Sequence, residues 1–170
     1  MLVFIDTEFT NFNDPQLISI GLAAEDGRDI YLEWQDISAS KCSPFVRQHV
    51  LPLLGRLPSA VCSKFEMAQR ISDWLLTLPS EITVVYDDEV DWYLFSEACT
   101  ANQSAKAEKK LPANIRDHTL LGSWAIHDAV FKNAHKRAYT QEWPRHHSLA
   151  DARALRASYL ELRSYLKTNY

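Results

Sequence analysis

The sequence predicts an α/β domain whose mixed sheet combines an antiparallel three-stranded meander with parallel strands, flanked by helices. Three observations support this prediction. The chain opens with three short strand patterns, and an Asp-Gly turn at positions 26 and 27 joins the last two. A β-branched segment at 82–86 lies between two helical patterns. A strand that follows a helix in this way favours parallel pairing through a crossover.

The strands are predicted from short apolar, alternating or β-branched segments. Leu2 to Ile5 is a continuous apolar run that ends at Asp6, as expected for a buried strand. A turn-rich segment covers 11–15. The later strands are expected over 16–24, 29–34, 82–86 and, at an edge of the sheet, 115–121.

The helices are predicted from apolar residues at helical spacing. The clearest pattern covers 63–78 and ends before Pro79. Its apolar face is formed by Phe65, Ala68, Ile71, Leu75 and Leu78. Further helices are expected over 44–54, where Pro52 interrupts the pattern, and over 89–99, 122–135 and 149–166. Polar segments at 101–113 and 139–147 are expected to be loops.

Composition fits a single globular domain spanning residues 1–170, because 46% of the residues are hydrophobic and 24% are charged. No segment has the apolar length of a membrane span, and Asp6 interrupts the first apolar run before it resembles a signal peptide. The three cysteines, at positions 42, 62 and 99, form no C-x-x-C pair. They argue against a disulfide framework or a zinc site and favour a cytoplasmic protein.

The net charge of −4 is unevenly distributed. Residues 1–100 contain 6 Lys or Arg and 16 Asp or Glu, whereas residues 101–170 contain 12 and 6. An acidic half suggests cation ligands, and a basic half suggests a partner that carries phosphate. Charges spread over solvated faces are the alternative interpretation.

Two carboxylates stand where the first strand ends. Asp6 and Glu8 are two residues apart, so in an extended chain their side chains project to the same face. Carboxylates this close repel each other unless a cation lies between them, and Mg²⁺ prefers such oxygen ligands. The same pair also fits a polar turn in which both acids are solvated.

Two more acids follow later elements. Asp91 lies in the first turn after the 82–86 strand, and Asp151 lies in the first turn of the last helix, with Ser148 as the expected N-cap. Acids at these positions also complete capping patterns and complement the helix dipole. Capping and metal binding are therefore both compatible with each acid taken alone.

The order of these residues resembles the DEDDh family of 3′–5′ exonucleases. Its first motif, D-x-E, matches Asp6-Thr7-Glu8, and its second ends in an Asp after a strand, here Asp91. Its third, H-x-x-x-x-D, matches His146 to Asp151. The sequence departs from the family in the second motif, where Tyr86-Asp87 stands in place of a frequent His-Asn pair.

The resemblance runs from Leu2 to about Tyr159 and is nearest to the small single-domain bacterial exoribonucleases. It implies a ribonuclease-H-like fold and hydrolysis of single-stranded nucleic acid, RNA above all, from the 3′ end to nucleoside 5′-monophosphates. Because relatives are often homodimers, it also implies a possible homodimer.

The resemblance further implies two Mg²⁺ or Mn²⁺ ions in the active site. Asp6 would bridge both ions, Glu8 and Asp151 would complete the site of the attacking water, and Asp91 would hold the second ion. His146 would accept the proton of that water, because its pKa lies near neutrality.

Substrate contacts are expected beside the first motif, since the family counterparts of Thr7, Phe9 and Thr10 touch the terminal nucleotide. Phe9 would stack on a base, although it also fits a core position. Seven basic residues are candidates for contacts with the phosphate backbone: Lys106, Lys109, Lys110, Lys132, Lys136, Arg137 and Arg145.

Three other functions share parts of this pattern. A catalytically inactive binding module would not require the five catalytic residues, and a DNA-directed exonuclease of the same family would share them all. An endonuclease of the ribonuclease H type would use carboxylates without the histidine motif. The complete set therefore favours the exonuclease.

The third motif contains two adjacent histidines, His146 and His147, which cannot both face the carboxylates from an extended loop. The family's spacing of five to Asp151 assigns the general base to His146. His147 is then expected to pack against the protein or to face solvent.

Overall fold

A computed structural model of the chain describes residues 1–79, 81–104, 106 and 108–169. Its centre is a six-stranded mixed sheet with the order β4-β3-β2-β1-β5-β6. The strands are β1 (Leu2–Phe9), β2 (Leu17–Ala24), β3 (Asp29–Trp34), β4 (Val61–Cys62), β5 (Ile82–Tyr86) and β6 (Ile115–Leu120). The helices are α1 (Pro44–His49), α2 (Lys64–Leu76), α3 (Glu89–Thr100), α4 (Ser123–Ile126), α5 (Ala129–Ala138) and α6 (Ser148–Asn169).

The sheet confirms the predicted mixture of antiparallel and parallel strands. β1, β2 and β3 form the antiparallel meander. β5 pairs parallel with β1, and β6 pairs parallel with β5 at the edge of the sheet. The carboxyl ends of β1 and β5 therefore lie at the same end of the sheet, which brings the end of β1 close to the start of α3.

Helices cover both faces of the sheet, so the central strands are buried on both sides. β1 alternates between the two cores, as the period of a strand requires. Val3 and Ile5 pack with α2 and α3, whereas Phe4 packs with α5 and α6. β2 is buried along its whole length. No helix in the described residues is both long and apolar enough to cross a bilayer.

Several predicted elements differ from the observed ones. The helix expected over 122–135 is two helices, because Asp128 caps α5 with a side chain that accepts from the Val130 N–H at 2.7 Å. Phe65 was predicted on the buried face of α2 but is 61% exposed. α1 ends at His49, and the two-residue β4 was not predicted. The expected loop at 101–113 includes positions 105 and 107, which lie outside the described residues.

Gly21 brings the backbone of β2 directly against the start of α6. A Cβ atom on Gly21 would lie 2.4 Å from the backbone oxygen of Ser148 and 2.4 Å from the backbone nitrogen of Leu149. Gly21 is also the register partner of Asp6 across the β1–β2 pair. This close approach therefore fixes the first turn of α6 beside the strand that carries Asp6.

We expect Gly21→Ala to destabilise the fold, because its methyl group meets backbone atoms that cannot rotate away. The expected loss of unfolding free energy is about 1–3 kcal/mol or more, measured by denaturant unfolding. Gly122→Ala is the matched control, because its Cβ would meet only the side chain of Trp124, which is 66% exposed and free to rotate. Equal stability of the two variants would contradict the proposed constraint at Gly21.

Candidate active site

Four predicted carboxylates converge at the carboxyl end of β1. Carboxylate oxygens of Asp6, Glu8 and Asp151 lie within 4.8 Å of one another. A second group, within the same distance, consists of Asp6, Asp87 and Asp91. Asp6 belongs to both groups, which is the geometry that a ligand shared by two neighbouring cations requires.

Asp91 is held by the first motif. Its Oδ1 atom accepts hydrogen bonds from the backbone N–H of Thr7 at 2.9 Å and from the Thr7 hydroxyl at 2.6 Å. Capping of α3 is performed by Asp88, which accepts from the Val90 N–H at 2.9 Å. Asp91 is therefore not a capping residue, and it is 4% exposed. Thr7 therefore orients Asp91, and because it also lines the cleft, its contact with substrate stays a prediction.

Asp151 is held by the loop that precedes α6. Its Oδ1 atom accepts from the Tyr139 hydroxyl at 2.5 Å, and its Oδ2 atom accepts from the His146 backbone N–H at 2.8 Å. The prediction that Ser148 caps this helix is wrong. Ser148 is the first helical residue, and its hydroxyl pairs with that of Ser19 at 3.1 Å in the buried contact between α6 and β2.

The electrostatics of this cluster oppose its ionisation. Burial, followed by repulsion from the neighbouring carboxylates, raises the pKa of Asp6 well above its usual value and that of Glu8 to about 8. Burial also raises the pKa of Asp91 to about 7, although its bonds with Thr7 act in the opposite direction. None of these acids forms a salt bridge within the described part of the chain.

A divalent cation fits this arrangement for two reasons. The donors are all oxygen atoms, which Mg²⁺ and Mn²⁺ accept. Two positive charges would also offset the repulsion that raises the pKa of these carboxylates. The residues that could hold such ions are the four predicted acids together with Asp87.

His146 lines the cleft above the carboxylates. Its backbone adopts a left-handed conformation, with φ of 67°, which is uncommon for a residue other than glycine. Its ring lies edge-on to Phe45, with 5.0 Å between centroids, and 6.0 Å from the ring of His49. Burial lowers the pKa of His146 in spite of the opposing effect of Asp151.

His147 packs into the protein, which is one of the two alternatives predicted for it. It is 2% exposed. Its ring packs on that of Tyr31, with 4.3 Å between ring centroids, and makes an edge-to-face contact with Trp143. Burial lowers its pKa to about 4. The left-handed turn at His146, rather than the expected extended loop, separates the two rings.

The cleft has a volume of about 540 Å³ and an aromatic wall. Phe9 and Phe12 pack edge to face at 5.0 Å, and Phe12 is 77% exposed. Phe45 is 51% exposed beside His146. Thr10 was predicted to contact substrate, but it is 2% exposed and its hydroxyl accepts from the Gln16 N–H at 3.0 Å within the loop. Thr10 therefore shapes the loop and does not line the cleft.

Sequence reasoning missed several residues of this cleft. Asp87 was noted only as a departure from the family motif, yet its position directly after β5 could have indicated that it lies at the same end of the sheet as Asp91. Phe12 gave a weak signal, as a large aromatic residue in a polar turn. No sequence pattern indicated Phe45 or Tyr139, because Phe45 is brought here by the packing of α1 and Tyr139 by the loop that follows α5.

Comparisons with known proteins show what this chain is similar to. No family model matches the chain. Two curated relatives, the 3′–5′ exoribonucleases MT2234.1 and Rv2179c of two Mycobacterium tuberculosis strains, are each 38% identical over 72 residues. That match covers 42% of this chain and 41% of each relative, so the chain spans about two fifths of the length of the curated relatives it matches.

Two solved structures share the fold across nearly the whole chain. They are S. pombe Pop2p in its Mg²⁺- and Mn²⁺-bound form and exonuclease I from Methylocaldum szegediense, with identities of 15% and 16%. Each superposes with a TM-score of 0.57 over 96% of this chain, and over 82% and 40% of the respective other chain. The fold is therefore ribonuclease-H-like, as expected. The chain is thus similar in fold to these two proteins and similar in part of its sequence to the two 3′–5′ exoribonucleases.

Proposed function

We propose that this protein is a metal-dependent 3′–5′ exonuclease that acts on single-stranded nucleic acid, with RNA as its main substrate. One observation carries the proposal: two groups of carboxylates share Asp6 at the floor of an open cleft with a histidine at its rim. The names of the curated relatives support the direction of hydrolysis and the choice of RNA.

The carboxylates would hold two Mg²⁺ or Mn²⁺ ions. Asp6 would contact both, Glu8 and Asp151 would complete one site, and Asp91 with Asp87 would complete the other. When bound, the two ions would activate water and stabilise charge on the phosphoryl and leaving oxygens. The bonds from Thr7 to Asp91 and from Tyr139 to Asp151 would orient the carboxylates before any ion arrives.

His146 would act as the general base. Because burial lowers its pKa, its imidazole is neutral at physiological pH, and a ring nitrogen is available to accept the proton of the attacking water. The hydrogen bond from its backbone N–H to Asp151 ties its loop to the carboxylates. His147 has no such position, since it is buried behind the loop.

The aromatic wall suits the terminal nucleoside. Phe9 and Phe12 offer ring surface without the donors and acceptors that distinguish bases, which agrees with a sequence-tolerant exonuclease. Two alternatives of the same fold are an inactive binding module and a DNA-directed exonuclease. Incubation of 5′-labelled RNA and DNA oligomers with Mg²⁺, Mn²⁺ or a chelator distinguishes them, since a one-nucleotide ladder that needs metal is expected only from an exonuclease.

We expect Asp6→Asn to abolish hydrolysis of the labelled RNA, because it removes the ligand common to both groups. The same change should not lower the thermal midpoint at pH 8 without divalent ions, since it removes one of the mutually repelling charges. Release of nucleotides at the wild-type rate by this folded variant would refute the two-ion proposal.

The two histidines give a paired prediction. His146→Ala should lower kcat about 10²–10⁴-fold, with little change in thermal midpoint, because it removes a general base from the rim of the cleft. His147→Ala should lower the thermal midpoint, because it leaves a cavity beside Tyr31, while the folded fraction keeps a near-normal kcat. The opposite pattern would assign the base to His147.

The raised carboxylate pKa values predict how stability depends on pH. Without divalent ions, the native state holds protons on Glu8 and Asp91 that the unfolded chain has already released, so stability falls as pH rises from 6.5 to 8. His147 acts with the opposite sign, but only below pH 6.5, because its lowered native pKa favours the neutral ring.

We therefore expect the thermal midpoint of the metal-free protein to fall between pH 6.5 and pH 8. Mg²⁺ should raise that midpoint more at pH 8 than at pH 6.5, because binding competes with protons for the same oxygens. Scanning calorimetry with Mg²⁺ or a chelator measures both effects. An increment from Mg²⁺ that is independent of pH would contradict the proposed site.

A further inference from the structure

A second groove, here called the α5 groove, opens beside the catalytic cleft. It has a volume of about 550 Å³. Three cationic side chains line it: Lys132 and Lys136 on α5, and Arg145 on the loop before α6. All three residues are exposed, and the two lysines are one helical turn apart on the same side of α5.

The charges of these three residues are not neutralised by neighbouring acids. Within the described ranges, none of them lies within 4.0 Å of a carboxylate oxygen. Two of the other basic residues that were predicted to contact phosphates are already paired with acids. Arg137 binds Glu161 at 2.7 Å, and Lys109 binds Glu97 at 3.0 Å. The structure thus selects a subset of the basic half of the chain.

The α5 groove is continuous with the catalytic cleft. Asp87, His135 and Arg145 line both. The aromatic wall formed by Phe9 and Phe12, in contrast, lines only the cleft. A strand with its last nucleoside on this wall and its scissile phosphate at the carboxylates can therefore continue into the α5 groove.

The α5 groove differs in the charge of its lining residues from another surface groove, which lies beside the start of β2. That groove contains Lys41 and Lys64, but Asp14 and Glu97 line it as well. Its charges therefore balance, whereas Asp87 is the one carboxylate among the described residues that line the α5 groove. A polyanion is accordingly favoured in the α5 groove alone.

We propose that the α5 groove binds the phosphate on the 5′ side of the scissile phosphate, with Lys132 and Lys136 as its ligands. The proposal rests on the proposed exonuclease function and adds a subsite to it. A dinucleotide with a free 5′-hydroxyl has only the scissile phosphate and leaves the subsite empty. A trinucleotide is the shortest such substrate that fills it.

The test compares a double variant, Lys132→Ala with Lys136→Ala, with the wild-type protein on these two substrates. We expect kcat/KM to fall about tenfold on the trinucleotide and to change less than about twofold on the dinucleotide. Lys167→Ala is a control for the loss of a distant lysine, because this exposed residue lies about 24 Å along α6 from Asp151. It should leave both substrates unaffected.

A binding measurement tests the subsite without hydrolysis. For a labelled single-stranded RNA in chelator, the magnitude of the slope of log affinity against log salt should be smaller for the double variant by about 0.7, because one phosphate contact is lost. If the wild-type protein hydrolyses neither RNA nor DNA, the exonuclease proposal fails. If the salt slope of the double variant equals that of the wild-type protein, the proposed phosphate subsite fails, whatever the outcome for the exonuclease.

Three kinetic results would overturn the proposal of a phosphate subsite in the α5 groove. An equal loss on dinucleotide and trinucleotide would mean that the lysines act on the scissile phosphate or on the fold. No loss on either substrate would mean that the groove holds no phosphate. Weaker inhibition by nucleoside 5′-monophosphate, with the trinucleotide unaffected, would assign the groove to the released product.

Discussion

Repulsion between carboxylates is the constraint on which the rest of this structure depends. Asp6 lies between two acidic groups, and the fold must hold all of them together against their mutual repulsion. Antiparallel pairing with β2 fixes Asp6 and Glu8 opposite Gly21 and Ser19. Thr7 fixes Asp91, and Tyr139 fixes Asp151. Much of the polar bonding around the cleft thus holds carboxylates at positions where their ionised forms repel one another.

The parts of the site that follow from local rules were predictable from sequence. The period of a strand places Asp6 and Glu8 on one face, and the starts of α3 and α6 place Asp91 and Asp151 at helix ends. The order of parallel strands then brings these ends together. The same rules predicted five of the six strands, whereas β4 is too short to produce a pattern. The continuous helix expected over 122–135 is wrong because Asp128 caps a new helix at that point, and the capping signal was not considered in the prediction.

The residues that sequence reasoning missed are placed by tertiary contacts, which local sequence patterns do not show. Phe45 reaches the cleft because α1 packs beside the third motif, and Tyr139 reaches Asp151 across a loop of irregular conformation. The left-handed backbone at His146 belongs to the same class. This conformation costs about 1–2 kcal/mol for a residue other than glycine. The hydrogen bond from the His146 N–H to Asp151 offsets part of that cost.

The contact between Gly21 and the start of α6 has a mechanical consequence. Two backbones meet there without a side chain between them, so the first turn of α6 is clamped while the rest of the helix extends about 30 Å beyond it. A slight tilt of α6 about this clamp moves Asp151, about 3 Å away, roughly ten times less than it moves Asn169. The carboxyl-terminal half of α6 can therefore shift together with the elements that it packs against, while the Asp151 carboxylate in its first turn stays close to Asp6.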